Sequence, residues 1–537
     1  MFVPMLVTNF TRRAATQYAK KIGVVDGEKR FTYGEYVERT RRLSNSLLNL
    51  GVEKGDRVAF IDYNTHRLLE AFYGIPQIGA ILLFINIRFS PQEIAFILND
   101  AEAKYVVVNE NLLHLLNPIK DELKTVEQYI LLPDSPAKTD SKIGGSNYED
   151  LLKQSSPFLP EIQLDENDPA EMCYTSGTTG GQPKGMLFTH RMLYSNAING
   201  MFVEQVNDHS VFLHAIPLFH VNGWGTPHFL TAAGGKHVLL REFRPELVCR
   251  AIEEERVTNM FVVPTMAINL LNYPDLAKHD LSSLKQLRIG GAPMSATLFR
   301  AVEEKIGCEV YSGYGLTETL PLLATSRCKD YLSHLSGEER VEKLCRSGFA
   351  DFMANLRVVN EKGEDVKPDG KEIGEVIARG NNIIDEYWKL PEETKATIIN
   401  GWFHTGDLAN IDEDGYIQIV DRLKDIVISG GENISTFEVE NAIYTHPAVL
   451  ECAVVAAPHE FWGEIPAALV VLKEGHSITE AELLAHCKTQ LAGFKVPKLL
   501  EIVDSLPKGG TGKILKRELR KRYRSMDKEK DSTERSI

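Results

Sequence analysis

Short apolar runs alternate with segments of helical period through the first third of the chain. RVAFIDY (57–63), ILLFINI (81–87) and KYVVVNE (104–110) are short and almost continuously apolar, as strands buried on both faces are. Between the last two, Ser90, Pro91 and Glu93 form a capping box with proline at the first helical position, which predicts a helix over SPQEIAFILNDAEA starting at Ser90. Strand, helix and strand in that order make a β-α-β unit and predict a parallel sheet. The alternation returns at KHVLL (236–240), NMFVVP (259–264) and LRIGG (287–291), with helical stretches such as PELVCRAIEEE beside them. The run from Ala71 to Ile87 contains Gly74, Pro76, Gln77 and Gly79 and falls short of the ~20 apolar residues of a membrane span. A buried helix followed by a buried strand accounts for it better.

Beyond about residue 350 the pattern changes to short strands with turn signals, as in LRVVNEKGEDV, GEVIARG and DEDGYIQIV, which predicts an antiparallel or barrel-like subdomain. After Asp421 come a helix (STFEVENAIYTH), strands (LECAVVAAP and AALVVL), another helix (TEAELLAHCKTQL) and a basic end, together the size of one small α+β domain. The boundary is placed near Lys424, giving a large α/β domain over 1–423 and a small α+β domain over 424–537. No repeat with a period of ~20 to 50 residues is visible, and the polar stretch Pro133 to Gly145 reads as a surface loop.

Composition removes several function classes. With 537 residues, 43% hydrophobic and 25% charged, the chain is an ordinary globular protein of several domains. Its net charge of −14 has the wrong sign for gripping nucleic acid or anionic lipid over a whole surface, so a phosphate ligand has to be held locally. Seven scattered cysteines, with no C-x-x-C spacing, argue against a disulfide framework or a zinc site and favour a reducing, cytoplasmic compartment. The N-terminal MFVPMLVTNF lacks a basic region and a cleavage site, so it is expected to be a strand or docking segment and export is not expected.

The richest chemistry lies in EMCYTSGTTGGQPKGMLFTH (171–190), where a strand runs into a loop holding Gly177, Gly180, Gly181 and Gly185, four hydroxyls and Lys184. Glycines let backbone N–H groups turn inward as an anion nest, Thr175, Ser176, Thr178 and Thr179 add donors, and the lysine adds charge. A flexible hairpin tip is the plain alternative. LPKGGTGKILKRELR (506–520) again places a lysine, Lys513, in a glycine-rich turn, but Ile514 stands where a P-loop needs a magnesium-binding hydroxyl and no β-α-β unit surrounds it. From Pro507 to the end, eleven basic residues against five acidic make this part locally +6. YSGYGLTE (311–318), GWFHTGD (401–407) and DRLKDIVISGGENIS (421–435) each carry lone charged groups among glycines and aromatics. Glu318 suits a hard cation, Asp407 a ribose diol and Arg422 a sugar or phosphate, and each equally suits a turn or a surface ion pair.

In this order and spacing the segments resemble the adenylate-forming superfamily of acyl-CoA synthetases, luciferases and nonribosomal adenylation domains. The resemblance spans nearly the whole chain and rests on residues 174–185, 314–318, 401–407, 421–432 and 507–514. PLFHVNGW (217–224) is similar to the stretch of fatty-acyl and related CoA synthetases that ends in a gating tryptophan, here Trp224.

The resemblance implies the following roles. The loop Thr175 to Lys184, with Ser176, Gly177, Thr178 and Thr179, holds the triphosphate, and Thr175 and Glu318 hold magnesium. Gly291, Ala292, Gly313 and Tyr314 frame adenine, Thr317 is a further nucleotide-binding position, and Asp407 and Arg422 bind ribose. His220 lies beside the acyl carboxylate; by residue type alone it is a core histidine. Lys513 bridges carboxylate and α-phosphate, Lys424 is the hinge of a small domain that rotates between half-reactions, and Gly430 and Gly431 border the pantetheine arm. Two features depart from the pattern. Both Gly181 and Gln182 precede Pro183, making the loop one residue longer, and Ile428 stands where several members carry a second lysine.

The expected activity is therefore an ATP-dependent carboxylic acid:CoA ligase acting on a medium- or long-chain fatty acid or a related acid, with ATP, magnesium and coenzyme A as cofactors. The alternatives are an adenylating enzyme that loads a carrier-protein pantetheine and an inactive nucleotide-binding homologue; the joint retention of Lys513, Glu318, Asp407 and Arg422 speaks against the latter. Expected partners are small molecules, without nucleic acid or a membrane span, and a homodimer is left open.

Overall fold

A computed structural model describes residues 2–134, 143–175, 182–430, 432–508 and 514–523. The chain divides into two compact units: residues 1–175, 183–356 and 378–403 form the first, and residues 357–377 and 404–537 belong to the second.

The first unit is built on two sheets. In the seven-stranded sheet the order is Ser146–Asn147, Gln128–Leu132, Ala103–Asn109, Arg57–Ile61, Ile81–Phe84, Pro169–Tyr174 and Gly185–Thr189. All neighbours are parallel except the last pair. The nine-stranded sheet runs Phe349–Ala350, Ala324–Thr325, Glu309–Tyr314, Gln286–Gly290, Asn259–Val262, Val211–His214, Lys236–Leu239, Ile22–Asp26 and Lys29–Thr32, parallel in its centre and antiparallel at both ends.

Alternation along the strands sends side chains to opposite faces. Val58, Phe60, Leu82 and Phe84 join Val24, Phe212, Leu239 and Phe261 of the other sheet in one shared core. Ala59, Ile61, Leu83, Val106 and Val108 face the other way, onto Ile94, Ile97 and Leu98 of the helix Pro91–Asp100. Leu213, Met260, Val262, Leu287 and Ile289 pack on the helices Pro245–Glu255, Pro264–Leu271 and Ala296–Lys305. Because both faces of both sheets are covered, the strands read as continuous apolar runs.

The capping box at Ser90 forms as expected, with Ser90 Oγ accepting from the Glu93 N–H at 3.3 Å and Glu93 accepting from the Ser90 N–H at 2.8 Å. The helix stops at Asp100, earlier than the apolar pattern suggests, because Glu102 takes a left-handed φ of 53° just before the strand at Ala103. The Ala71–Ile87 run is a buried helix, His66–Gly74, a 3-10 turn and the buried strand Ile81–Phe84. Among the described residues no helix is long and apolar enough to cross a membrane. At the N-terminus no strand forms among the described residues before the first helix. The Met5 N–H docks on Glu166 at 3.0 Å, and a helix begins at Thr8 with Phe10 and Ala14 buried.

In the second unit, Val359 and Asp365 bridge a short hairpin, and residues 407–411 pair antiparallel with Ile417–Arg422. A sheet of Glu432–Ile434, Val427–Ser429, Gly463–Leu472 and Val449–His459, with Leu499–Ile502 beside the third, follows. One face packs on the helices Thr436–Tyr444 and Glu480–Lys488, the other on Leu519 and Tyr523 of the last described helical residues.

Candidate active site

In parallel sheets ligands collect at the carboxyl ends of the strands, and in the first unit most expected site residues lie there. Pro169–Tyr174 and Gly185–Thr189 enclose the glycine-rich loop. Its flanks are tied together, since the Thr175 N–H donates to the Lys184 carbonyl at 3.0 Å and the Lys184 N–H to Thr175 Oγ1 at 3.1 Å. Ser176, Gly177, Thr178 and Thr179 lie outside the described residues. The Lys184 ammonium pairs with Glu393 and lies 5.0 Å from the ring centre of Tyr387. Glu318 sits in the 3-10 turn Thr317–Thr319 beyond the strand Glu309–Tyr314; its Oε1 accepts from the Tyr387 hydroxyl at 3.0 Å and its carbonyl from the Ile384 N–H at 3.0 Å. Burial pushes the Cys173 thiol up, and the nearby Glu318 charge adds to that shift.

Glu318 and Thr175 offer hard oxygens, and no group of three or more His, Cys, Asp or Glu side chains suited to a metal occurs among the described residues. That donor set fits magnesium, which takes one or two carboxylates together with substrate phosphates and water and needs no protein cage.

Gly290 and Gly313 are neighbours in register on parallel strands. Gly291 follows with a φ of 78°, and it and Ala292 are exposed, while Tyr314 and Thr317 are half-buried. Beneath Gly313 lies a buried charge cluster. Arg288 meets Glu204 at 2.5 Å and donates to Thr325 at 2.9 Å, and the Tyr311 hydroxyl donates to Glu204. A Cβ on Gly313 would stand 2.4 Å from Arg288 Nη1, so a side chain there would have to displace the buried guanidinium. Nearby, burial pushes the Asp351 carboxyl up to about 6.

His220, half-buried, precedes a helix whose start is inverted: Val221, Asn222, Gly223, Trp224 and Gly225 all have positive φ, between 38° and 82°. Left-handed geometry costs about 1–2 kcal/mol per L-residue, so surrounding contacts have to impose it. The buried Glu171 accepts from Asn222 at 2.6 Å and meets His228 Nε2 at 2.7 Å, clamping both sides of the turn. Trp224 is pressed on Phe261, ring centres 5.7 Å apart.

In the second unit Asp407 and Arg422 are cross-strand partners with an Oδ1 to Nε distance of 3.1 Å. Gly430 has a φ of 59°, its N–H donates to the Trp462 carbonyl at 2.8 Å, and a Cβ there would meet the Trp462 ring at 2.6 Å. Lys424 is an exposed residue two positions past the strand end; Gly431 lies outside the described residues. So does Lys513, but Lys508 and Ile514, which flank residues 509–513, form an antiparallel bridge. Lys516 is anchored by Glu440 at 2.8 Å and Thr436 at 2.7 Å.

Sequence reasoning missed Tyr387, Glu393, Glu171 and Phe261, whose roles depend on contacts distant in the chain. One signal was present: Asn222-Gly223 with Gly225 is a composition that tolerates left-handed backbone.

A family model described as AMP-binding enzyme matches residues 11–388, and one described as AMP-binding enzyme C-terminal domain matches residues 438–513. The chain is 36% identical over 543 residues to the peroxisomal trans-cinnamate:CoA ligase of Petunia hybrida, covering 98% of this chain and 95% of that protein. It is 38% identical over 526 residues to a long-chain-fatty-acid–CoA ligase of Thermus thermophilus, covering 96% and 95%. Among solved structures, it is similar to the anthranilate CoA ligase AuaEII in complex with anthranoyl-AMP, with a TM-score of 0.88, 27% identity and coverage of 97% and 98%. It is also similar to ATP-bound MatB from Rhodopseudomonas palustris, with a TM-score of 0.86, 30% identity and coverage of 98% and 100%.

Proposed function

This chain belongs to the AMP-binding enzyme family, in its acyl-CoA synthetase branch, and on that premise we propose that it joins a carboxylic acid to coenzyme A through an acyl adenylate, releasing AMP and pyrophosphate. The observation that carries the reading is the convergence of Thr175, Lys184 and Glu318, through hydrogen bonds and Tyr387, at the carboxyl ends of the strands.

The chemical obstacle is the approach of a carboxylate to an α-phosphate already surrounded by negative oxygens, two like charges at ~3 Å in a partly dry site. In this reading Lys184 and the loop hydroxyls hold the triphosphate, Gly291, Ala292, Gly313 and Tyr314 frame adenine, Thr317 adds a further contact to the nucleotide, and Asp407 with Arg422 binds ribose. His220 stands beside the acyl carboxylate, with Trp224 closing the acyl side. Glu318 and Thr175 would hold magnesium, which when bound would supply charge neutralisation. Lys513 bridges nucleophile and α-phosphate in the transition state, where an electrostatic donor has its largest effect.

The thiol of coenzyme A then attacks the acyl carbonyl and AMP leaves. For that step Lys513 has to vacate the face that the pantetheine arm enters, with Lys424 as the pivot of the 424–537 domain and Gly430 and Gly431 beside the arm. The preferred acid is a medium- or long-chain fatty acid or a related acid, in keeping with the fatty-acid and cinnamate ligases among the relatives. All seven cysteines are free, which suits a reducing compartment such as the cytoplasm. The test is pyrophosphate release across a panel from butyrate to palmitate with cinnamate and benzoate: release that depends on one acid class supports the reading, and acid-independent release contradicts it.

A further inference from the structure

Tyr387 lies in none of the motifs that carry the sequence reading, yet it touches both charged side chains expected on the phosphate side. Its hydroxyl donates to Glu318 Oε1 at 3.0 Å, and the Lys184 Nζ lies 5.0 Å from its ring centre. The residue is itself fixed from several directions. Its N–H donates to Thr394 Oγ1 at 3.0 Å, it bridges antiparallel to Met186, and the next residue, Trp388, donates its N–H to the Gly185 carbonyl at 2.8 Å. Only 5% of Tyr387 is exposed. A rigid phenol therefore connects the strand that leaves the glycine-rich loop with the turn that carries Glu318.

A single carboxylate ligand to a small divalent cation must present one oxygen in a fixed direction, and an outer hydrogen bond to the other oxygen is the usual way to fix it. Here the phenol engages Oε1, while Oε2 makes no hydrogen bond among the described residues. The ring face meets the ammonium of Lys184, holding a flexible side chain near where it has to meet phosphate.

We propose that Tyr387 is a positioning residue for nucleotide activation: its hydroxyl orients the Glu318 carboxylate toward a divalent cation, and its ring seats Lys184 for the triphosphate. This rests on the roles proposed above for Glu318 and Lys184.

Two substitutions separate the contributions. Tyr387→Phe removes the hydroxyl and keeps the ring; Tyr387→Leu removes both. Metal affinity is read by titrating manganese into protein with ATP and following water-proton relaxation, and by the magnesium dependence of acid-dependent ATP–pyrophosphate exchange. Tyr387→Phe should raise the half-saturating metal concentration about tenfold in both measurements, the size expected for a lost outer-shell partner, with an unchanged ATP KM at saturating metal. Tyr387→Leu should add a rise of about fivefold in ATP KM. A tyrosine that served only packing would lower the melting temperature and kcat without moving the metal midpoint. An unchanged midpoint in Tyr387→Phe therefore overturns the proposal, and that variant decides alone if Tyr387→Leu fails to fold. Wild-type protein that exchanges pyrophosphate with no acid would instead overturn the adenylation reading itself.

Discussion

A Cβ atom on Gly290 would stand 3.1 Å from Cζ3 of Trp224 and 3.2 Å from the Gly313 carbonyl oxygen, so the indole rests on bare backbone at the end of a parallel strand. A Cβ there needs the ring to give by a few tenths of an ångström, and a branched side chain pushes it further from its seat against Phe261. Gly290→Val is expected to shift acid preference, with kcat/KM for the best acid falling about 10²-fold, ~2.7 kcal/mol on the barrier, and ATP KM unchanged. An equal loss for every acid together with a raised ATP KM would remove Trp224 from the acyl side.

Glu318→Gln removes the charge proposed for magnesium while keeping the side chain's size and its acceptor for Tyr387. The variant should need more magnesium for pyrophosphate exchange and bind magnesium–ATP more weakly by calorimetry, without a change in melting temperature. Unaltered metal dependence would make Glu318 a structural turn residue.

Lys513→Ala deletes a charge used in adenylation, and the expected loss is about 10² to 10³-fold in acid-dependent pyrophosphate exchange. Thioester formation from synthetic acyl-AMP and coenzyme A should be largely preserved. If both half-reactions decline together, the lysine has a different task.

Asp351 provides a pH test of stability. Its folded pKa, about 6, lies above the ordinary 3.8, so the folded state favours the protonated carboxyl. That contribution is fully present below the ordinary value and is lost as pH rises through about 6, on the order of 3 kcal/mol between pH 4 and pH 7. Asp351→Asn should flatten this stretch of the stability profile, narrowing the difference in unfolding midpoint between pH 5 and pH 8. Identical slopes in variant and wild type would show that other groups set the profile.

Lys424→Pro examines the proposed pivot, because proline locks φ near −65° and removes an N–H. Pyrophosphate exchange should stay within about tenfold of wild type while coenzyme A-dependent thioester formation falls by about two orders of magnitude. Normal acyl-CoA synthesis would place the pivot elsewhere.

Local signals were legible in proportion to how little they depend on the rest of the chain. The capping box at Ser90 is set by residues three positions apart and forms as read, and a second box caps the expected helix at Thr479. Buried strands such as Arg57–Ile61 and Gln286–Gly290 declare themselves by apolar runs. The partition into two sheets is not local, because a parallel strand such as Ile22–Asp26 pairs with Lys236–Leu239, over two hundred residues later. The same limit hid Tyr387 and Glu171, whose partners Glu318 and Asn222 are brought to them by tertiary structure. The inverted turn at 221–225 escaped periodicity because a left-handed turn has a nearly helical repeat, and only its glycines and asparagine hinted at it.

The most direct measurement of the central claim follows oxygen. A carboxylate labelled with ¹⁸O should transfer one labelled oxygen to the phosphoryl group of AMP when ATP, the acid and coenzyme A are turned over, because the carboxylate attacks the α-phosphorus and AMP later leaves with the bridging oxygen. Singly labelled AMP in amounts equal to acyl-CoA is the predicted result by mass spectrometry. Unlabelled AMP, or label in inorganic phosphate alongside ADP, would contradict activation through an acyl adenylate.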